Sequence, residues 1–368
     1  MTKRIRTACA VAALVPLAML AAACGSSKTS GSTTNSSDAA AAGASGKSIS
    51  ETGSTLLFPL FGAWQTDYSK VDTAVTITSG ATGSGAGVTD ASQGLVNIGA
   101  SDAYLSSSQM SQNPGLVNIP LAVASVMVNY NVSGVKKALN LNGTVLAGIY
   151  SGKITKWNDP AIAKLNPGVP LPGEAIVTLH RADSSGSTFL FTSYLNAQDS
   201  GGWPSTNIGT TITWPSAPGA LAETGSGGMV TACGTTKGCI AYIGISYLSK
   251  TSAAGLGEAS LANKAGKFVQ PTNSAVSAAL ASFPAAPASG TESLIDTSAA
   301  AGYPVINYEY GIVKKAQPSA GEAKAVKAFL NWIVTTGNGS KYMAMVGFQS
   351  LPPATASVSK ALISSVSS

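Results

Sequence analysis

The chain has 368 residues, 45% hydrophobic and only 10% charged, with a formal net charge of +6. The length allows a large buried core and suits two domains better than one, while the charge is well under the ~25% usual in soluble domains, so Ser, Thr, Ala and Gly cover the surface. Lys3, Arg4 and Arg6 supply half of the net charge and no basic run follows them, which argues against nucleic acid as a partner.

The N-terminus, "MTKRIRTACAVAALVPLAMLAAAC", has a positive stretch, an apolar run from Ala8 to Ala23 and small residues before Cys24. The run is short for a membrane span and predicts a secretory signal over residues 1–23. Small residues at 21 to 23 before a cysteine resemble the lipobox of bacterial lipoproteins, which implies lipidation of Cys24, although Ala21 stands where leucine is usual. An ordinary signal peptide with an incidental cysteine is the alternative. Residues 24–48 continue as low-complexity Gly/Ser/Thr/Ala. Such a stretch predicts a flexible tether about 25–29 Å long on average.

Strand-like and helix-like patterns then alternate. "VTITS" predicts a strand, "GATGSGAG" a loop, and Val88 to Gln93 a short helix. "LVNIGA" is a second strand and "GLVNIPLAVASVMVNYN" one or two more. "TVLAGIYSG" and "PAIAKLN" are helical in pattern. "EAIVTLH" is a strand ending at His180, and "SGSTFLFTSYLNAQ" is the helix after it. "CIAYIGISYL" and "YPVINYEYGIVKK" are strands. "AGEAKAVKAFLNWIVTTG" is an amphipathic helix ended by Gly337, with Ala325, Phe329, Trp332 and Ile333 on one face. "KYMAMVGF" and "ASVSKALISSV" add shorter helices. The alternation predicts α/β architecture with mostly parallel sheets.

Of the cysteines left after export and lipidation, Cys233 and Cys239 flank the turn-rich "GTTKG". An oxidising compartment would join them in a short-range disulfide. A metal site is the alternative, but it would need ligands beyond one distant histidine.

Four stretches share a design: a strand, a turn of small or hydroxyl residues, then usually a helix start. They are "TGSTLLFPLF" (52–61), "SGATGSGAGV" (79–88), "GASDAYLS" (99–106) and "HRADSSGSTF" (180–189). Helix N-termini offer unpaired N–H groups and a partial positive charge, so anions settle there. Hydroxyls add donors, and glycine lets backbone approach. One such turn is ordinary capping; four form a pattern. Known phosphate motifs fail, because no GxxxxGK occurs and "GSGAGV" lacks GxGxxG spacing. No GxSxG elbow is present.

After Arg6, Arg181 is the only arginine, and His180 is the only histidine of the chain. A histidine at a strand end reads most simply as structural. Arg181 could make a surface ion pair with Asp183. Alternatively, its planar five-donor fork takes an oxyanion bidentately while Asp183 fixes its aim. Asp102 could cap a helix. In an anion site, however, it would accept from a ligand that carries a proton. That favours HPO₄²⁻ or H₂PO₄⁻ and leaves sulfate facing acceptor with acceptor.

From about residue 50 onward these stretches resemble the phosphate-binding proteins of bacterial ABC phosphate transport, the PstS family. The resemblance is carried by "GSTLLFPLF", "GSGAGV", "GASDAYLS", "IYSGKITKWNDPAIAKLNPGVPLPG" and "HRADSSGSTFLFTSYL". It implies an α/β, two-lobed type II periplasmic-binding-protein fold with two hinge crossings and mixed, mostly parallel sheets. Lobe one is expected over 49–124 plus 300–368, and lobe two over 125–299. Matched by motif position, phosphate is expected at Thr55, Leu56 (backbone N–H), Ser84, Asp102, Arg181, Ser185, Gly186 and Ser187, with Asp183 behind Arg181. Ser184 stands where some relatives have Gly, and Ser187 where some have Thr. Nothing carries over for Cys233, Cys239 or residues 251 to about 300.

The resulting expectation is a monomeric lipoprotein on the outer face of the cytoplasmic membrane. It would capture inorganic phosphate and pass it to ABC permease subunits, without a cofactor, a metal or catalysis. A receptor for sulfate or molybdate, an extracellular phosphatase and an adhesive surface protein are the rivals.

Overall fold

The computed structural model describes residues 47–135 and 137–368. The expected signal peptide, Cys24 and most of the tether lie outside the described residues. The tether was expected to reach residue 48, but the first strand already begins at Lys47.

In chain order the elements of the first half are β1 (Lys47–Gly53), α1 (Phe58–Tyr68), β2 (Val75–Thr78), α2 (Ser84–Gln93), β3 (Ile98–Ser101), α3 (Ser107–Gln112), β4 (Leu116–Asn131), β5 (Asn140–Leu141), α4 (Gly143–Tyr150), α5 (Pro160–Leu165) and β6 (Val177–Arg181). There follow α6 (Gly186–Gln198), β7 (Leu221–Glu223), α7 (Gly225–Thr235), β8 (Cys239–Gly244), α8 (Leu248–Ala253), β9 (Gly257–Glu258), β10 (Ser260–Ala262), β11 (Phe268–Val269) and α9 (Asn273–Leu280). The chain closes with β12 (Ile306–Lys314), α10 (Ala320–Ile333), α11 (Ser340–Val346) and α12 (Pro353–Ser364).

One mixed sheet runs in the order β2-β1-β3-β12-β4-β8-β6-β7, with β9 also on β4. The flanking pairs β1–β2, β1–β3, β6–β7 and β6–β8 are parallel. The central pairs are antiparallel, because β12 returns between β3 and β4. A small sheet, β11-β10-β5, lies apart and uses part of the unfamiliar stretch after residue 251.

β4 is the element that divides the molecule. "LVNIPLAVASVMVNYN" is buried from Leu116 to Tyr130, as a continuous apolar run covered on both faces should be. Its first part, up to Ser125, pairs with β12, and from Val126 it pairs with β8. Pro120 lacks an N–H for the ladder. The pairing shifts beside it, with Tyr310 opposite Pro120 and Glu309 opposite Ala122, so Leu121 is the bulged residue.

Each half of the sheet carries its own aromatic cluster. Phe61, Tyr68, Phe329 and Trp332 pack together where α1 meets α10. Tyr150, Phe191, Trp214 and Tyr242 do the same beside β6 and β8. Two aromatic clusters on one curled mixed sheet fit the two-lobed periplasmic-binding architecture.

Several boundaries differ from expectation. α2 starts at Ser84, inside the glycine loop, because Gly83 takes φ +95° and lets the helix begin there. β6 runs one residue past His180 and includes Arg181, since both pair with β7. α10 stops at Ile333 and leaves Gly337 in a separate short turn. Cys233 and Cys239 form the expected disulfide, with Cα atoms 5.4 Å apart, joining the last turn of α7 to the start of β8.

Candidate functional site

The four hydroxyl-rich turns converge. Those after β1 and β3, and the one opening α2, come from the first half of the sheet. The turn between β6 and α6 comes from the second half and faces them.

Asp102, 2% exposed, lies at the centre. One carboxylate oxygen accepts from the Ser54 hydroxyl and, at 3.5 Å, from Ser84 Oγ. The other accepts from Ser187 Oγ at 2.7 Å, across the two halves of the molecule. The Asp102 N–H points to Ser84 Oγ at 3.3 Å. Gly186 belongs to the same contact. A Cβ there would stand 2.6 Å from the Asp102 Cβ and 2.7 Å from Ser84 Oγ, so only glycine lets α6 begin this close.

Arg181 is 6% exposed. Its Nε donates to Asp183 Oδ1 at 2.6 Å, and its Nη2 donates to Asp183 Oδ2. That leaves the Nη1 edge of the fork, and one Nη2 proton, for a second planar acceptor. Burial alone would push the Asp183 carboxyl up, but the guanidinium outweighs it and holds it below its ordinary value. Asp183 also accepts the Gly225 N–H at 3.0 Å, and it approaches so near Gly83 that a Cβ there would stand 2.6 Å from Oδ2. Arg181 is thus aimed from behind. Its own N–H is held by the Tyr242 hydroxyl at 2.9 Å, which in turn meets Thr188 Oγ1 at 2.7 Å.

Ser185 caps α6, its hydroxyl accepting the Thr188 N–H at 3.3 Å. Thr55 stands to one side, against α7, with Oγ1 2.9 Å from Ser226 Oγ and accepting the Ser226 N–H at 3.2 Å. The Leu56 N–H has a partner within the chain, Ser54 Oγ at 3.1 Å, which also accepts from Leu57 at 2.9 Å. His180 stacks on Trp214, with ring centroids 4.9 Å apart, away from the convergence. A cleft of about 510 Å³ opens outward from Ser84 and Ser184, with Tyr104, Phe189 and Thr210 on its walls.

The structure therefore brings Ser84, Asp102, Gly186 and Ser187 into direct contact. Asp183 ties Arg181 to them through Gly83, and Gly225 and Ser226 tie in Thr55. Sequence reasoning missed Ser54, Ser226 and Glu309, whose Oε2 lies 3.5 Å from Ser54 Oγ. Ser226 had a usable signal: "LAETGSGGM" is a fifth copy of the strand–turn–helix pattern. Glu309 had none, since it sits in the middle of an apolar strand.

Such a site offers a forked cation, several hydroxyl and helix-start donors and one carboxylate acceptor, which together suit a small oxyanion bearing a proton. Comparison with known proteins agrees in kind. A family model described as a PBP superfamily domain matches residues 31–336. The chain is 31% identical to the phosphate-binding protein PstS of Xylella fastidiosa, over 83% of this chain and 82% of that one. It is 32% identical to the PstS of Methanocaldococcus jannaschii, with the same coverage. Among solved structures, a high-affinity periplasmic phosphate-binding protein bound with phosphate superposes with a TM-score of 0.69 at 25% identity, covering 85% of this chain and 93% of that one.

Proposed function

The chain belongs to the PBP superfamily and, within it, to the PstS phosphate-binding proteins, and from that premise we propose that it captures inorganic phosphate in the cleft between its lobes and delivers it to an ABC permease. The observation that carries the reading is the meeting of Ser84, Ser187 and the α6 start around one buried acceptor, Asp102, with the Arg181 fork aimed beside them by Asp183.

Phosphate enters with the free edge of Arg181 neutralising its charge. Hydroxyls of Thr55, Ser84, Ser185 and Ser187 and the N–H groups of Leu56 and Gly186 turn to its oxygens. Asp102 accepts the ligand's own proton. Closing the lobes removes water and strengthens each charge-assisted hydrogen bond. Sulfate has no proton at neutral pH and would set oxygen against oxygen at Asp102. In this reading lobe one comprises about 49–124 with 300–368, and lobe two 125–299. The change of β4 partner between Ser125 and Val126 supports the first crossing. Export, lipid attachment at Cys24, a monomeric state and a place on the outer face of the membrane belong to the same proposal. So does the absence of catalysis: the ligand is held and released with no bond made or broken.

Titration calorimetry with phosphate and with sulfate tests the assignment. Phosphate should bind and sulfate stay nearly inert; equal affinities would sink it in favour of a general oxyanion receptor. Turnover of a phosphomonoester that is lost in Ser185→Ala would instead point to a phosphatase.

A further inference from the structure

Glu309 is a glutamate in the middle of a strand that is otherwise apolar or aromatic apart from Asn307 and the terminal Lys314, and it is 0% exposed. The bulge at Leu121 marks the shift in β12 pairing between Glu309 and Tyr310. Across the sheet Tyr310 is opposite Ser101, the last residue of β3, so Glu309 lies just beyond that strand's end, where Asp102 follows.

Its hydrogen bonding is incomplete. Oε1 has no partner among the described residues. Oε2 lies 3.5 Å from Ser54 Oγ. That hydroxyl already accepts two backbone N–H groups, from Leu56 and Leu57, and gives its single proton to Asp102. Ser54 therefore has no proton for Glu309. An ionised Glu309 would be a buried anion without a donor, lying against a second carboxylate, which is among the costliest arrangements a protein interior can hold.

We infer that Glu309 is a positioning residue for Asp102: a neutral carboxylic acid that donates its proton to Asp102, so that the pair carries one negative charge and that charge faces the ligand. The inference deepens the phosphate reading and rests on it. Burial, and after it the Asp102 charge, push the Glu309 carboxyl well above its ordinary value, in line with the geometry. Among the described residues Asp102 is the other carboxyl facing Glu309 from the elements packed on it, and Ser54 Oγ, 3.5 Å away, is the neighbouring hydroxyl. The backbone oxygen of Asp102 is fixed separately by Asn307 Nδ2 at 2.9 Å. The carboxylate is thus held from the β12 side by Glu309 and addressed from the α6 side by Ser187. Acting through Asp102, Glu309 keeps the acceptor aimed without adding a second charge that would repel a dianion.

The test pairs two substitutions with a spectroscopic signature. Glu309→Gln keeps a neutral donor and should bind phosphate much as the parent protein does. Glu309→Leu keeps the bulk but removes the donor, and should weaken phosphate binding by about ten- to a hundredfold, the range for one hydrogen bond to a charged group. In the infrared spectrum at neutral pH, the protonated carboxylic-acid band should lose intensity in Glu309→Gln, whatever part of it comes from other buried acids. A Glu309→Leu protein that binds phosphate normally would overturn the inference. So would a Glu309→Gln protein as impaired as the leucine variant, or a carboxylic-acid band untouched by Glu309→Gln. If Glu309→Leu does not fold, the glutamine variant and the spectrum decide. Failure of the parent protein to bind phosphate would strike the phosphate reading instead, while the infrared result still judges Glu309.

Discussion

At the scale of single residues, the chemistry divides between groups that meet the ligand and groups that hold those groups still. In the proposed site Arg181 is the clearest of the first kind, and its geometry makes lysine a poor substitute. Arg181→Lys keeps a positive charge but loses both the fork and the bidentate link to Asp183. Arg181→Ala should cost about 2–5 kcal/mol of phosphate binding, as loss of a buried charged partner usually does, and Arg181→Lys should recover only part of it by calorimetry. Asp102→Asn should act differently. An amide can donate where the carboxylate could only accept, so the preference for phosphate over sulfate should shrink more than oxyanion binding itself. A variant that kept the preference intact would remove Asp102 from its role. Glu51 shows the same physics away from the ligand. It is buried on β1, and burial raises its carboxyl to about 8 from 4.5. The folded protein keeps this proton where the unfolded chain has lost it. The associated stability is full below about pH 4.5 and drains away as pH rises through about 8. The total is on the order of 5 kcal/mol at roughly 1.4 kcal/mol per unit. Glu51→Gln should flatten the fall of melting temperature over that window, and an unchanged pH profile would contradict it.

At the scale of elements, what was legible followed from local rules. Arg181 and Asp102 stand out as candidates because each is a charge placed where a strand gives way to a hydroxyl-rich turn. The periodicity of α6, α10 and β12 located them to within a few residues. What escaped depended on partners far away in sequence. β4 looked like one or two strands, because no local signal says that a single strand changes partners at Ser125 and Val126. α2 began earlier than its pattern suggested, because Gly83 could take a conformation closed to other residues. Glu309 was invisible since its meaning lies in Asp102, 207 positions earlier in the chain. α7 was overlooked as a site element although its first residues, Gly225 and Ser226, reach Asp183 and Thr55. Its other end is stapled to β8 by Cys233–Cys239. The closed loop is short, so the bond should contribute about 2 kcal/mol, near the low end for disulfides. Replacing both cysteines with alanine should lower the melting temperature while leaving phosphate affinity close to that of the intact protein, because the staple lies at the far end of α7. A large loss of affinity with an unchanged melting temperature would show that the bond serves the site rather than the fold.

At the scale of the whole molecule, the site is also the fastening between the two halves. Ser187 to Asp102, Ser226 to Thr55, Ser246 to the Leu56 carbonyl at 2.8 Å and Gly85 to the Ser184 carbonyl at 3.0 Å all join one half to the other. The covalent crossings are few by comparison. β4 passes between the halves at Ser125 and Val126, and the Val126 N–H is bonded to the Val305 carbonyl where the chain returns into β12. A ligand that draws on Arg181 and Ser187 from one side and Thr55, Ser84 and Asp102 from the other strengthens the fastening rather than merely filling a hole. Phosphate should therefore stabilise the folded, closed molecule as a unit. At a hundredfold excess over its dissociation constant it should add about 2.7 kcal/mol, and the melting temperature should keep climbing with the logarithm of concentration. Sulfate should leave it unchanged. Small-angle scattering should show the same selectivity as a decrease in radius of gyration with phosphate alone, since only an anion that satisfies both walls adds to the hydrogen bonds that join the halves. A rise in melting temperature without compaction would mean that phosphate binds a cleft already closed. Compaction with sulfate would mean that closure answers to charge alone, with no part for a ligand proton accepted at Asp102.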